Sequence, residues 1–202
     1  AAFAAHPDTG RQVLHAVYAD HGNHVLVGTD GHRLTRSPLS TFPFGTDAIL
    51  PLNKMLLKQF PESDNGRIGL HEKDEIQTIV LATDELTYTC RCPEGRFPNY
   101  EQVIPDTADH TASLSFGPGD REAVESLVPY LDKATQNGLF LFGKDGTAVL
   151  GIEGTGGEPV VLPLPECQCE NADGLILPVN GVFLVEALKQ GFVHLRAASA
   201  YT

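Results

Sequence analysis

The sequence predicts an α+β protein built from two similar domains, and three observations support this fold class. Short segments with strand periodicity alternate with turn residues, while few segments have helical spacing. The pattern restarts after Pro105, in a polar stretch that suits neither period. The pentad at 49–53, apolar-Leu-Pro-apolar-Asn, recurs at 176–180 and precedes a predicted helix both times. The 202 residues are enough for two such domains, which we place at 1–108 and 109–202.

The first half is predicted to consist of antiparallel strands and one helix. Strands over 12–19 and 24–29 flank Asp20-His21-Gly22-Asn23, a strong turn sequence. A short strand over 48–51 leads into a helix over 53–60, which Asn53 caps and Pro61 ends. Three more strands are predicted over 67–70, 76–82 and 86–92. This arrangement indicates sheets with little helix between them.

The second half repeats the plan with more helix. A strand over 112–116 precedes a helix that Asp120 caps and that extends to 134, with Pro129 expected to kink or break it. Strands over 139–142 and 147–152 form a hairpin, and further strands cover 158–164 and 175–178. Asn180 caps a last helix that ends at Gly191, and a strand over 193–197 follows.

The charge of the chain excludes one large class of function. A formal net charge of −12 does not suit a small basic DNA-reading domain, because such proteins gain affinity by neutralising phosphates. This charge does not exclude weak contact with DNA. The sequence has no apolar run of membrane-spanning length and no signal peptide at its start. We therefore expect a cytoplasmic protein with no membrane partner.

Catalytic and metal-binding motifs are weak. The pairs Cys90/Cys92 and Cys167/Cys169 could together hold zinc, but residues two apart on a strand merely share a face, and ordinary strand cysteines explain them better. No nucleophile elbow, His-Glu-x-x-His or phosphate loop is present. We expect no catalytic residue, no metal ligand and no cofactor. The alternative is a small metal-binding or hydrolytic protein that uses these cysteines or neighbouring His and Asp residues, of which the candidates are His6 with Asp8, His15 with Asp20, and Asp30 with His32.

Two segments carry the most specific pattern. Gly28-Thr29-Asp30-Gly31-His32-Arg33-Leu34 directly follows a strand rich in valine and leucine, and its Asp-Gly pair predicts a sharp turn. The segment 95–100, Gly-Arg-Phe-Pro-Asn-Tyr, is followed by Val103-Ile104-Pro105. Either segment alone would suit an ordinary turn or a proline-broken loop. Their order and spacing together resemble the bacterial DNA polymerase III β subunit, the sliding clamp, which has T-D-G-H-R-L in its middle domain and F-P-D-Y in its second linker.

This resemblance implies a fold and a function. It implies the DNA-clamp fold, in which repeated domains of antiparallel sheets with two helices each close into a ring around DNA. The expected function is that of a non-enzymatic processivity factor. The chain would correspond to the middle and C-terminal domains, and the family's N-terminal domain would be missing. The first domain would lack its opening strand, with the helix tail at 1–5, and the second its closing strands.

The resemblance also implies partners and site residues. Expected partners are double-stranded DNA, bound without sequence specificity, the catalytic subunit of DNA polymerase III, the clamp loader, and further copies of the full-length chain. A groove at a domain junction would bind a short peptide motif. Gln102 stands where many relatives have a basic residue. The implied peptide-pocket residues are Val13, Thr29, Gly31, His32, Arg33, Leu34, Pro98 and Val103. The helix residues expected to face DNA are Lys54, Lys58, Arg121, Lys133 and Lys189.

Overall fold

The computed structural model describes residues 12–52, 65–131, 139–153 and 159–198. The contacts divide the chain into two compact units, Ala1–Glu101 and Gln102–Thr202. This division falls earlier than the predicted boundary after residue 108. The predicted helix over 53–60 and the predicted helix tail at 1–5 lie outside the described residues.

The first unit contains two antiparallel sheets. The first has four strands in the order β3-β2-β1-β4, and the second has three in the order β5-β6-β7. A short 3-10 helix, Gln12–His15, precedes β1. The strands are β1 Val17–Asp20, β2 Val25–Thr29, β3 Leu34–Pro38, β4 Ala48–Leu50, β5 Arg67–Lys73, β6 Ile76–Ala82 and β7 Thr87–Arg91.

The second unit has a sheet of the same order, β11-β10-β9-β13, and a three-stranded sheet β12-β8-β14. The two repeated pentads overlap β4 and β13, each an edge strand antiparallel to the first strand of its hairpin. The elements are β8 His110–Ser115, α1 Pro118–Leu127, β9 Leu139–Lys144, β10 Thr147–Glu153, β11 Pro159–Leu164, β12 Gln168–Glu170, β13 Ile176–Val179, α2 Gly181–Lys189 and β14 His194–Ala198. The antiparallel sheets and helices confirm the α+β fold class.

The first sheet of the first unit is buried on both faces. Val17, Ala19 and Leu50 pack against Ile79 and Leu81 of the second sheet. Alternate residues along the strands point to the opposite face, where a second cluster forms from Leu14, Ala16, Val25, Val27, Ile49, Phe97 and Tyr100. The segment that carries Phe97 therefore covers the outer face of this sheet.

In the described residues of the second unit, both sheets and both helices share one core. Leu114 and Leu150 are fully buried strand residues in it. Val124 and Leu127 from α1, with Leu184 and Leu188 from α2, complete it on helical spacing.

Several predicted elements need correction. The strand predicted over 12–19 begins only at Val17, because Gln12–His15 forms a 3-10 helix. The strands β3 and β12 were not predicted as separate elements. Asp120 is not the N-cap of α1: Gly117 is, Pro118 follows it, and the buried Asp120 carboxylate accepts a hydrogen bond of 2.8 Å from the Gly117 backbone.

Two helix endings agree with the sequence. The α1 helix stops at Leu127 and passes into a 3-10 turn that contains Pro129, so the predicted break at this proline is confirmed. In α2 the Asn180 side chain accepts a hydrogen bond of 3.1 Å from the Phe183 backbone, which confirms the predicted cap. Gly191, just past the end of α2, has a φ of +84°.

Within the described residues, no helix is long and apolar enough to cross a membrane.

Candidate functional site

Residues 29–34 form a tightly bonded turn between β2 and β3. The Thr29 hydroxyl donates to the Arg33 carbonyl at 2.6 Å and accepts from the Gly31 backbone N–H at 3.1 Å. One oxygen of the Asp30 carboxylate accepts from the backbone N–H groups of His32 and Arg33, at 2.9 and 3.0 Å. Gly31 has a φ of +91°, which a residue with a side chain would adopt only with strain. The turn is therefore fixed by its own side chains, with His32 exposed at its tip.

An ion pair between Asp30 and Arg33 also stabilises this turn. The Arg33 Nε atom lies 3.0 Å from the second oxygen of Asp30, and both side chains are largely buried. Burial raises the pKa of the Asp30 carboxyl, but the hydrogen bonds from His32 and Arg33 and the Arg33 charge outweigh burial and lower it. Asp30 thus stays ionised and holds Arg33 in place.

Val13 and Leu34 lie on the face of the first sheet that the segment 95–100 covers. Both are partly buried and pack against the cluster that includes Phe97 and Tyr100. A Cβ placed on Gly95 would lie 3.2 Å from the Val13 side chain, so this segment runs close to Val13. Val13 lies in the 3-10 helix before β1, not in the hairpin where it was predicted. The structure brings Val13, Leu34 and the start of the 95–100 segment to one sheet face.

Phe97 and Tyr100 are residues that the sequence reasoning did not assign to the site. The Phe97 ring stacks on Tyr18 with 5.0 Å between centroids and 11° between planes. The Tyr100 hydroxyl donates to an Asp20 oxygen at 2.7 Å. Both aromatic residues are buried, while Pro98 between them is exposed. Two aromatic residues in a stretch otherwise composed of Gly, Pro, Arg and Asn were the available signal for such packing.

Asp20 and Tyr100 form the polar centre of this contact. Asp20 also accepts from the Asn23 backbone and from the Asn23 amide, both at 2.9 Å. Burial raises the pKa of Asp20, but the hydrogen bonds from Tyr100 and Asn23 outweigh burial and lower it. Burial, together with the hydrogen bond to Asp20, raises the pKa of Tyr100 to about 12. The carboxylate is therefore the acceptor and the phenol the donor at neutral pH.

An open polar groove of about 540 Å³ lies beside the same segment. It is lined by Tyr18, Asp47, Ile49, Gln77, Arg96 and Pro98, among others. Pro98 is the predicted pocket residue that borders it, and Val13 and residues 29–34 do not. The groove and the predicted pocket thus share Pro98, while Val13 and residues 29–34 lie outside the groove.

Val103 stands apart from the other predicted pocket residues. It ends the 3-10 helix Tyr100–Val103 and is 68% exposed. The division between the two units falls inside this short helix, after Glu101. The contribution of Val103 to a pocket stays a prediction.

Two of the residues predicted to face DNA are described. Arg121 is exposed on α1. Lys189 at the end of α2 forms an exposed ion pair with Glu125 of α1, and its hydrogen bond lowers the pKa of Glu125. The Lys189 charge is therefore partly matched within the protein. Lys54, Lys58 and Lys133 lie outside the described residues.

The cysteine-based alternative gains no support from the described parts of the chain. There, no group of three or more His, Cys, Asp or Glu side chains could hold a metal ion. All four cysteines are free. Burial raises the pKa of Cys92, and raises that of Cys167 to about 12, which opposes the thiolate form that zinc binds.

Comparison with known proteins gives a consistent result. No family model matches the chain. The β sliding clamp of Streptococcus pneumoniae serotype 4 is 26% identical over 196 residues, which is 93% of this chain and 50% of that protein. The DNA polymerase III β subunit of Borrelia burgdorferi has a TM-score of 0.78 at 22% identity, covering 98% of this chain and 54% of that chain. A Helicobacter pylori β clamp bound to a DNA ligase peptide has a TM-score of 0.73 at 19% identity, covering 98% and 56%.

These likenesses, added to the repeated sheet order, define the class: the chain has the DNA-clamp fold. Its sequence is similar to β sliding clamps, the β subunits of bacterial DNA polymerase III, and the resemblance first seen in residues 28–34 and 95–105 is confirmed. The chain spans about half the length of the curated relatives that it matches.

Proposed function

We propose that this chain supplies two domains of a DNA sliding clamp, a non-enzymatic processivity factor that tethers polymerase to duplex DNA. The observation that carries the proposal is the sequence similarity to β sliding clamps along 93% of the chain. The strand order common to the four-stranded sheets of both units supports it, because a ring of repeated domains needs a repeated fold. The two units would correspond to the clamp's middle and C-terminal domains.

In this function the first unit binds a short peptide from a partner protein. Leu34 and Val13 offer apolar surface beside a turn whose backbone is fixed by Thr29 and Asp30. Pro98 is exposed and directly follows Phe97, which packs on the same sheet face. The Helicobacter pylori clamp that was solved with a DNA ligase peptide supports a peptide as the ligand. The remaining proposed pocket residues are Gly31, His32, Arg33 and Val103.

The proposed contact with DNA is weak and independent of sequence. Arg121 and Lys189 would approach phosphates together with Lys54, Lys58 and Lys133. With a net charge of −12 on the chain, such contacts give little affinity and depend steeply on salt. The proposed partners are double-stranded DNA, the polymerase III catalytic subunit, the clamp loader and other copies of the full-length protein.

Peptide titration tests the proposal. A fluorescent peptide from the C-terminal tail of the polymerase III catalytic subunit should bind the parent chain. Leu34→Asp and Pro98→Asp should each weaken binding by about 1 to 3 kcal/mol, the range for losing an apolar anchor. Ile68→Asp is the matched control, because Ile68 is a 38% exposed apolar residue on β5 of the other sheet and should leave affinity unchanged.

Circular dichroism shows whether each variant is folded. Unchanged affinity in both folded pocket variants would place the partner site elsewhere.

A separate experiment in the full-length protein concerns DNA: Lys54, Lys58 and Lys189 changed together to glutamate should impair processive synthesis without affecting peptide binding. Processive synthesis equal to that of the parent would remove the DNA-facing assignment.

A further inference from the structure

We infer that Phe97 and Tyr100 form a two-point latch that positions Pro98 for the peptide, with Asp20 as the residue that closes it. This inference rests on the proposed peptide-binding function and adds positioning residues to that site. The latch is defined by the Phe97–Tyr18 stack and the Tyr100–Asp20 hydrogen bond. All four residues belong to the first unit.

Within residues 97–100, the two end residues are buried and the two residues between them are exposed. Phe97 and Tyr100 are only 6% and 5% exposed, whereas Pro98 and Asn99 between them are exposed. A segment that is pinned at both ends of such a short span leaves the intervening proline little freedom, because its own φ is also fixed. The exposed surface of Pro98 is therefore held by contacts on the buried side of the segment.

The polar half of the latch connects the segment to the β1–β2 turn. The Asn23 amide donates to Asp20 at 2.9 Å, to Glu101 at 3.0 Å and to the Tyr100 hydroxyl at 3.3 Å. Strand β2 then runs from this end of the hairpin, at Val25, to Thr29, where the peptide-binding turn begins. Strand β2 thus connects the latch at its start to the turn 29–34 at its end.

This arrangement predicts that the Tyr100 hydroxyl keeps Pro98 in position. The hydrogen bond between Tyr100 and a charged acceptor is buried, so its loss costs more than that of an exposed hydrogen bond. The ring of Tyr100 can stay buried without it. Removing only the hydroxyl should therefore loosen Pro98 while leaving the sheet intact.

Tyr100→Phe tests the inference in the complete chain. The polymerase-tail peptide should bind about tenfold more weakly, because binding must then order a segment that the parent holds in place. Hydrogen exchange should become faster in 95–101 while the strands of the first sheet stay protected. The matched control is Tyr88→Phe, which removes a phenol hydroxyl from a half-buried tyrosine on β7, in the other sheet of the first unit. Its affinity for the peptide should equal that of the parent.

A second control distinguishes positioning from general stability. Ile79→Val removes a methylene group from the core on the opposite face of the first sheet and should lower the melting temperature without changing peptide affinity. Parent-like affinity of Tyr100→Phe would overturn the latch while leaving the proposed function standing. Equal weakening by Ile79→Val would also overturn it, since stability alone would then explain the effect. Failure of the parent chain to bind the peptide would overturn the proposed function and the latch with it.

Discussion

The four-stranded sheets of the two units have the same strand order, but different interactions hold their equivalent hairpin turns. In the first unit, residues 21–24 connect β1 to β2, and the Asp20 carboxylate ties this turn together through Asn23. In the second unit, Asp145 and Gly146 alone connect β9 to β10, with φ of +52° and +76°. These angles match a type I′ turn, which needs no side-chain bonds. A common topology therefore does not require common local interactions.

The cores differ in a related way. The described residues of the second unit form one cluster around α1, α2 and both sheets. Those of the first unit form two clusters on opposite faces of one sheet, and the 95–100 segment closes the outer one. The 95–100 segment leaves Pro98 exposed where it covers this face. The candidate peptide site lies beside this segment.

The largest expected effect is on the stability of one unit at a time, because the two units have separate cores. Leu150→Ala should destabilise the second unit by about 2 to 5 kcal/mol, because it leaves a cavity at a fully buried position. Hydrogen exchange followed by mass spectrometry should show lost protection in β8–β14 and little change in β1–β7. Leu50→Ala, at an equally buried position, should give the reverse pattern. Equal loss of protection in both units by either variant would show one cooperative core instead.

A smaller effect should separate the two hairpin turns. Gly146→Ala places a side chain at a φ of +76° and should destabilise the second unit by about 1 kcal/mol. Gly22→Ala is the matched change in the first unit. Gly22 has no positive φ, and an added Cβ would meet Asp20 at an ordinary 3.5 Å, so stability should hardly change. Chemical denaturation of both variants measures the difference, and similar losses would contradict the assignment of the two turn types.

Much of this architecture follows from local sequence signals. Asp145-Gly146 predicts its hairpin because few residues adopt two successive positive φ angles, and Asn180 predicts a helix start because its side chain can bond the helix backbone. Local signals did not predict the elements that depend on tertiary contacts. Strand β3 contains Arg36, Ser37 and Pro38, which have no strand pattern of their own, and it exists because β2 offers a partner.

The candidate site was predictable to a similar extent. The turn at 29–34 is encoded locally, since Asp30 and Gly31 satisfy its geometry by themselves. The burial of Phe97 and Tyr100 was not predicted, because their partners Tyr18 and Asp20 lie about eighty residues earlier in the chain. No periodicity within 95–105 reports a contact of that separation.

The smallest expected difference between the units is in how much stability each loses on acidification. In the first unit, Asp20 and Asp30 are shielded carboxyls whose pKa values are lowered, in spite of burial, by hydrogen bonds that favour the charged form. A lowered folded-state pKa adds stability above the unfolded value, about 3.9 for aspartate, and that stability is lost as the pH falls through the folded value.

In the described part of the second unit, the carboxyl with a lowered pKa is Glu125, which is exposed and paired with Lys189 on the surface, where such pairs contribute little. Below about pH 4 the first unit should therefore lose stability sooner than the second. Thermal unfolding, followed by separate NMR resonances from β1–β3 and β9–β11 at pH 7 and pH 3, measures this order. Asp20→Asn should reduce the acid sensitivity of the first unit, since asparagine has no proton to gain in this range. Equal acid sensitivity of the two units in the parent, or an unchanged pH dependence in Asp20→Asn, would show that these hydrogen-bonded carboxylates do not set the acid response.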